Sequence, residues 1–264
     1  MDAKVLIVQV VALGACLWME SLVPLFMDRQ GRMLHAVRNI AIGLVNGLVL
    51  TLGFSGLVIS AAQWGNIHQL GLVYRLDLPP DAKRLAGFLA FDLWMYLWHR
   101  GNHTIPLLWR FHKVHHTDSA LDCSSAVRFH LGEMLLSTAL RLAVIPLLVI
   151  PLKDLVLYEL ILEPVIILHH SNIALPERWD RIMRLLVVSP NMHRVHHSNI
   201  PTETNSNYAS IFSFWDRLCG TYVKRNVPSI RFGLKEFQDP RWQTFRGMLL
   251  TPAVSVPAPG NTAL

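Results

Sequence analysis

The chain has 264 residues, of which 52% are hydrophobic and 16% charged, with a formal net charge of +6 and a mean hydropathy of +0.34. Such a balance points to a membrane protein, and runs of apolar residues make membrane topology a better source of the positive charge than a nucleic-acid partner, so none is expected. Cys16, Cys123 and Cys219 have neither metal-ligand spacing nor an even count, which excludes a disulfide framework and a zinc ribbon.

From the N-terminus, residues 5–26 form a mainly apolar run of spanning length, interrupted chiefly by Gln9 and Glu20. Arg29, Arg32 and Arg38 mark a basic loop before a second span at 40–62, beyond which Trp64 and Tyr74 suit a membrane interface. Residues 77–83 carry Pro79-Pro80 and read as a turn. A third apolar segment, 85–98, is shorter than a full span. It ends at the first histidines. Asp92, Tyr96, His99 and His103 are spaced to share one helical stripe, so Asp92 reads equally well as the acceptor of a ligand imidazole N–H or as an interhelical hydrogen bond. After a polar stretch at 99–132, segments 134–152 and 155–169 read as a hairpin around Lys153-Asp154. Arg141, Glu159 and Glu163 fall inside it, and charges at that depth face a protein interior or a cavity. Beyond Ser171 no run is long and apolar enough to span, and the tail 251–264, with prolines and small residues, is expected to be disordered.

Eleven of the thirteen histidines fall between His99 and His197, in three clusters: His99-x-x-x-His103, His112-x-x-His115-His116 and His193-x-x-His196-His197. Residues three and four apart share a helix face, so each cluster aims its imidazoles together. Imidazole is the commonest protein ligand for iron, zinc and copper, and one ion takes roughly four to six donors. Eight clustered histidines therefore predict two ions. His35 and His68 stand alone and read as ordinary surface or core residues.

With the clusters on the inner face, eighteen Lys and Arg lie inside and five outside, which agrees with a cytoplasmic metal site. Glu-x-x-His pairs of carboxylate di-iron bundles and the His-Glu-x-x-His of zincins are both missing. A metal transporter is a weaker alternative, because its ligands belong near the bilayer midplane. An inactive relative that binds only metal or lipid is the other.

The order of the three boxes on a set of membrane helices resembles the fatty acid hydroxylase and sterol desaturase superfamily of integral-membrane di-iron enzymes. Arg128-Phe129-His130, His170-Ser171-Asn172-Ile173, Asn205-Ser206-Asn207-Tyr208 and the stretch from Trp215 to Tyr222 look like sequences that recur there, and the resemblance covers residues 85–234. It implies an all-α membrane bundle of four or five spans under a cytoplasmic histidine-rich helical cap, in a single domain over 1–250. It implies that His99, His103, His112, His115, His116, His193, His196 and His197 are catalytic through the metal they hold. His170 would be a ninth ligand, with His130 and His169 as further candidates. The expected cofactor is a pair of iron ions, replaceable by zinc during purification. The expected partners are dioxygen, a lipid from the bilayer (an acyl chain, a sterol-like ring or a carotenoid) and a separate electron-donor protein. Hydroxylation is the expected reaction and desaturation at the same site the alternative. The oligomeric state is left open.

Overall fold

The computed structural model describes residues 2–27, 31–68, 71–148 and 151–259. Arg29, the Tyr74 side chain and the last five residues of the expected tail lie outside them. Helix α1 (Ala3–Leu22) begins where the Asp2 carboxylate accepts from the Lys4 N–H at 2.8 Å, a side-chain cap for a free backbone donor. Helix α2 (Arg32–His68) runs 37 residues, and α3 (Pro80–Thr104) starts with proline at its first position, where no N–H is needed. Ile105, extended before Pro106, stops α3 and turns the chain into α4 (Pro106–His116). Helices α5 (Leu131–Leu148) and α6 (Leu152–His170) form the expected hairpin, followed by α7 (Glu177–Met183) and α8 (Pro190–His196). Strand pairing among the described residues is confined to isolated bridges such as Val187 with Phe212.

The apolar surface is turned inside out relative to a water-soluble bundle. Ile7, Val10 and Val11 on α1 and Leu44, Leu48 and Leu52 on α2 are all exposed, while a core of Phe91, Ile145, Leu155, Tyr158 and Leu162 ties α3, α5 and α6 together. Exposed apolar faces of that extent suit a bilayer. Helix α2 comes close to both partners: a Cβ on Gly65 would stand 2.7 Å from Pro146 Cα in α5, and one on Gly43 2.8 Å from Val127 Cβ. Three helices among the described residues, α1, α2 and α5, are long and apolar enough to cross a membrane. The fourth and fifth expected spans would have to be α6 and α3. Lys153, Asp154, Glu159 and Glu163 make α6 more polar than the other three, and Asp92 and Arg100 do the same for α3.

Residues 251–259 depart from the expected disorder. Thr251–Ala253 form a helical turn, Thr251, Pro252 and Ala258 are buried, and the carbonyls of Pro252 and Val254 accept from Arg110 Nε and Lys113 Nζ on α4. The short helix Phe245–Leu250 ends just before this turn, which leaves main-chain acceptors for those two cations.

Candidate metal centre

Box one occupies the last turns of α3, box two the last turns of α4, and box three the end of α8 with His197 as its C-cap, while Ser189 caps the start of that helix by accepting from the Met192 N–H. Because α4 and α8 end side by side with α3 and α6, their imidazoles meet in two groups. His99, His103, His112, His116 and His196 form the first, and His115, His170, His193 and His197 the second; within each, the candidate ligand atoms all lie within 4.8 Å of one another. The His-x-x-His-His spacing explains the division. Its first and last histidines are four apart and face one way, and the middle one is turned aside. Box two sends its i,i+4 pair to the first group and His115 to the second, whereas box three sends its pair to the second and His196 to the first.

The donor set suits cations. Buried nitrogens of His103, His112, His115, His116, His193, His196 and His197 have no hydrogen-bond partner, an arrangement that a neutral protein interior avoids. In the second group, Nε2 atoms stand 3.1 Å apart for His115 and His170, 3.0 Å for His170 and His193, and 3.1 Å for His193 and His197. Two nitrogens held about 2.1 Å from one ion are about 3.0–3.4 Å apart. Burial, reinforced by the neighbouring imidazoles, pushes His115, His116, His193, His196 and His197 well below the usual imidazole value, so they are neutral and keep a lone pair for a metal.

The opposite nitrogens of several rings are fixed by the protein. His99 Nδ1 donates to the Tyr208 carbonyl at 2.8 Å, His196 Nδ1 to the Ser206 carbonyl at 2.7 Å, and His170 Nδ1 to the Ile166 carbonyl at 2.7 Å. His112 Nδ1 meets Glu133 Oε1 at 2.8 Å, and the same oxygen accepts from Asn102 at 3.2 Å. Sequence reasoning missed Glu133, whose one visible signal is a lone acid in the first turn of an apolar helix. It also missed why the Asn205–Tyr208 stretch matters. Asn207 adopts a left-handed φ of 54°, its side chain bonding to the Met192 and Val223 carbonyls, and so turns the carbonyls on either side toward the histidines. Asp216 holds that turn by accepting from the Tyr208 and Ala209 N–H groups at 2.8 and 3.0 Å.

The other expectations separate. Of the two readings of Asp92 the structure shows the interhelical hydrogen bond and not the imidazole acceptor: its carboxylate accepts from Tyr158 Oη and Trp215 Nε1, both at 2.8 Å, and from the Phe212 N–H at 3.2 Å. It clamps α3 to α6 and to the segment after Tyr208. His130 joins neither group; its Nδ1 accepts from the Gly132 N–H at 2.9 Å and its ring stacks on Phe111. His169 also lies outside both, although its ring centroid is 4.0 Å from that of His193. His35 sits between Asp118 at 2.8 Å and Asp122 at 3.1 Å, away from the groups, and His68 is exposed at the far end of α2. The residues between the box histidines act as anchors. Arg194 donates to the Ser171 and Ile173 carbonyls at 2.6 and 2.8 Å, and buried Arg128 binds Val114 O, Asn39 Oδ1 and Thr117 Oγ1. Phe129 stacks on His115 at 4.5 Å with the planes 11° apart.

A cavity of about 580 Å³ opens beneath the groups, with His99, His112, His115, His170 and His193 at its head and Phe54, Val58, Ile145 and Leu162 among its apolar walls. Its size is that of a small-molecule site.

Comparison with known proteins agrees with this geometry. The chain is 30% identical over 168 residues to an ornithine lipid hydroxylase of Rhizobium tropici, covering 62% of this chain and 50% of that one. It is 28% identical over 174 residues to an alkylglycerol monooxygenase of Danio rerio (61% and 34%). A cholesterol 25-hydroxylase of Homo sapiens is 26% identical over 143 residues (53% and 51%). The chain thus spans about half or less of the length of these relatives, and no solved structure matches it significantly. The profile of the fatty acid hydroxylase family matches residues 84–221, just over half of the chain and all three boxes, and the protein belongs to that family.

Proposed function

We propose that the two histidine groups each hold one iron ion and that the protein hydroxylates a membrane lipid with dioxygen, using electrons from a separate donor protein on the cytoplasmic side. The observation that carries this reading is the pairing of two clusters of unpartnered buried imidazoles with an apolar cavity that ends at them. Iron bound there would supply the dioxygen activation that side-chain acids and bases cannot, which an unactivated C–H bond requires. The nine grouped histidines are the proposed ligands. Glu133 and the Tyr208, Ser206 and Ile166 carbonyls take the Nδ1 protons and leave each opposite nitrogen aimed into its group. Apolar walls align a lipid chain and exclude water from it. The names of the relatives, an ornithine lipid hydroxylase and an alkylglycerol monooxygenase, favour a lipid over a soluble substrate. Transport fits less well, since the groups lie at helix ends and the cavity that meets them has mainly apolar walls.

Isotope-labelled dioxygen supplied with a reductant tests the assignment. One labelled oxygen atom in the lipid product is expected. A new double bond without label would move the chain to the desaturase alternative, and label arriving from water would overturn both by revealing a hydrolytic centre.

A further inference from the structure

The cavity is not apolar throughout. Arg141 on α5, Glu159 and Glu163 on α6 and Gln9 on α1 line it together. Arg141 Nη1 stands 3.5 Å from Glu159 Oε1, and Gln9 Nε2 donates to Glu163 Oε2 at 2.9 Å. The guanidinium carbon lies 5.7 Å from the Phe91 ring centroid, while the Arg141 Nε is buried and has no hydrogen-bond partner. On the same turns of α6, Leu157 and Ile161 are exposed, and Arg141 lies midway along α5, which is long and apolar enough to cross a membrane. Glu163 and Glu159 precede His170 by seven and eleven residues, about 10 to 17 Å along the helix axis.

Charges at such a depth are costly and are kept where they serve a pathway or a ligand. An ion pair present only for packing would be expected to satisfy its own donors. Here the Arg141–Glu159 contact is long, and about a quarter of each side chain stays exposed at the wall of one cavity, a guanidinium on one side and a carboxylate on the other. A plain alkyl chain lying there offers these exposed charged groups no partner, and sites of this kind discriminate strongly against partners that lack the complementary group. A charged headgroup would have to be drawn into the hydrocarbon region to reach them. An uncharged group that both accepts and donates a hydrogen bond meets both needs.

We propose that Arg141, Glu159 and Glu163 form a second recognition point, which binds a hydroxyl or amide carried by the lipid about 10 to 17 Å from the carbon placed at the histidines. This deepens the lipid reading above by naming a substrate class, a chain with an internal polar group, and it rests on the histidine groups being the place of oxidation.

The test measures binding apart from turnover. Purified metal-loaded protein in lipid nanodiscs is photo-crosslinked with a diazirine-bearing stearoyl probe, and the probe is displaced by stearate or by stearate with a hydroxyl at mid-chain. The hydroxylated chain is expected to compete about tenfold or more better, the gain of one charge-assisted hydrogen bond. In Arg141→Met, and separately in Glu159→Gln, which keeps the side-chain shape, that ratio is expected to fall toward one while metal content holds. Equal competition in the unaltered protein, no competition by either chain, or an unchanged ratio in a variant that retains its metal overturns the proposal. A preserved preference in a protein that oxidises neither chain would leave the recognition point standing and remove only the hydroxylase reading.

Discussion

In the group of His99, His103, His112, His116 and His196, three rings have Nδ1 tied to the protein, through the Tyr208 carbonyl, Glu133 and the Ser206 carbonyl. In the group of His115, His170, His193 and His197 this is true of His170 alone, and the Nδ1 atoms of the other three are buried without partners. A tied Nδ1 fixes the tautomer and points the opposite lone pair inward before any metal arrives. The first group is therefore arranged by the fold. The second is held chiefly by ring packing, such as Phe129 against His115, and depends more on a bound ion to set its geometry. Two sites made from one repeated motif thus differ in how far each is built in advance.

The largest effect should come from removing one ligand of each group. His196→Ala and His115→Ala are expected to abolish product formation and lower the metal content measured on purified protein, while His68→Ala leaves both nearly intact. If either box variant keeps full metal, its group is not a binding site. Glu133→Ala should cost about 10–100-fold in metal affinity or activity, as loss of an outer partner generally does, with Glu133→Gln milder because its carbonyl can still accept from His112. Graded chelation of the unaltered protein sharpens the contrast: release in two steps is expected, the second group emptying first, and a single step would erase the proposed difference.

How much of this could be read from residues alone depends on the kind of contact. The eight box histidines were legible because i,i+3 and i,i+4 spacing is carried by the chain itself, whereas His170 was named only through the family resemblance. The sorting of the histidines into two groups was not legible, since it requires α4 and α8 to end side by side. Backbone carbonyls leave no residue-type trace, so the contributions of Tyr208, Ser206 and Ile166 were invisible, as were the tail carbonyls that Arg110 and Lys113 grip. The choice between the two readings of Asp92 is decided by geometry that the sequence does not carry. This residue shares the helical stripe of His99 but lies two turns away, about 10 Å, where Phe212 and Trp215 reach it first.

The role assigned to Asp92 makes the next prediction. Asp92→Asn should destabilise the protein by about 1–3 kcal/mol in thermal unfolding, because one of its three donors loses its acceptor, without loss of metal. Reduced metal content at unchanged stability would return Asp92 to the histidine shell. A further effect concerns the metal-free protein and pH. Burial and neighbouring imidazoles hold His115, His116, His193, His196 and His197 well below the usual 6.5, so the unfolded chain binds more protons than the folded one below that value. The contribution of these rings should be complete above pH of about 7 and fall away as pH drops below about 6.5; unfolding curves of the metal-free protein that stay flat below pH of about 6.5 would contradict it.

Helix α2 gives the histidine chamber a mechanical link to its surroundings. Its 37 residues make a rod of about 55 Å, against a hydrocarbon core of about 30 Å, so it cannot stand upright within the bilayer alone. Part of its length is fixed to the segment behind the histidines: Asn39 donates to Ser124 and Asn46 to the carbonyl of Phe129, the residue stacked on His115. Any change of tilt that a thicker or thinner bilayer imposes on α2 is thus delivered within one residue of the less constrained group of ligands. Acyl-chain length of the host membrane, varied across nanodiscs at fixed headgroup, should alter turnover through this lever, and equal rates in all of them would show the rod to be decoupled.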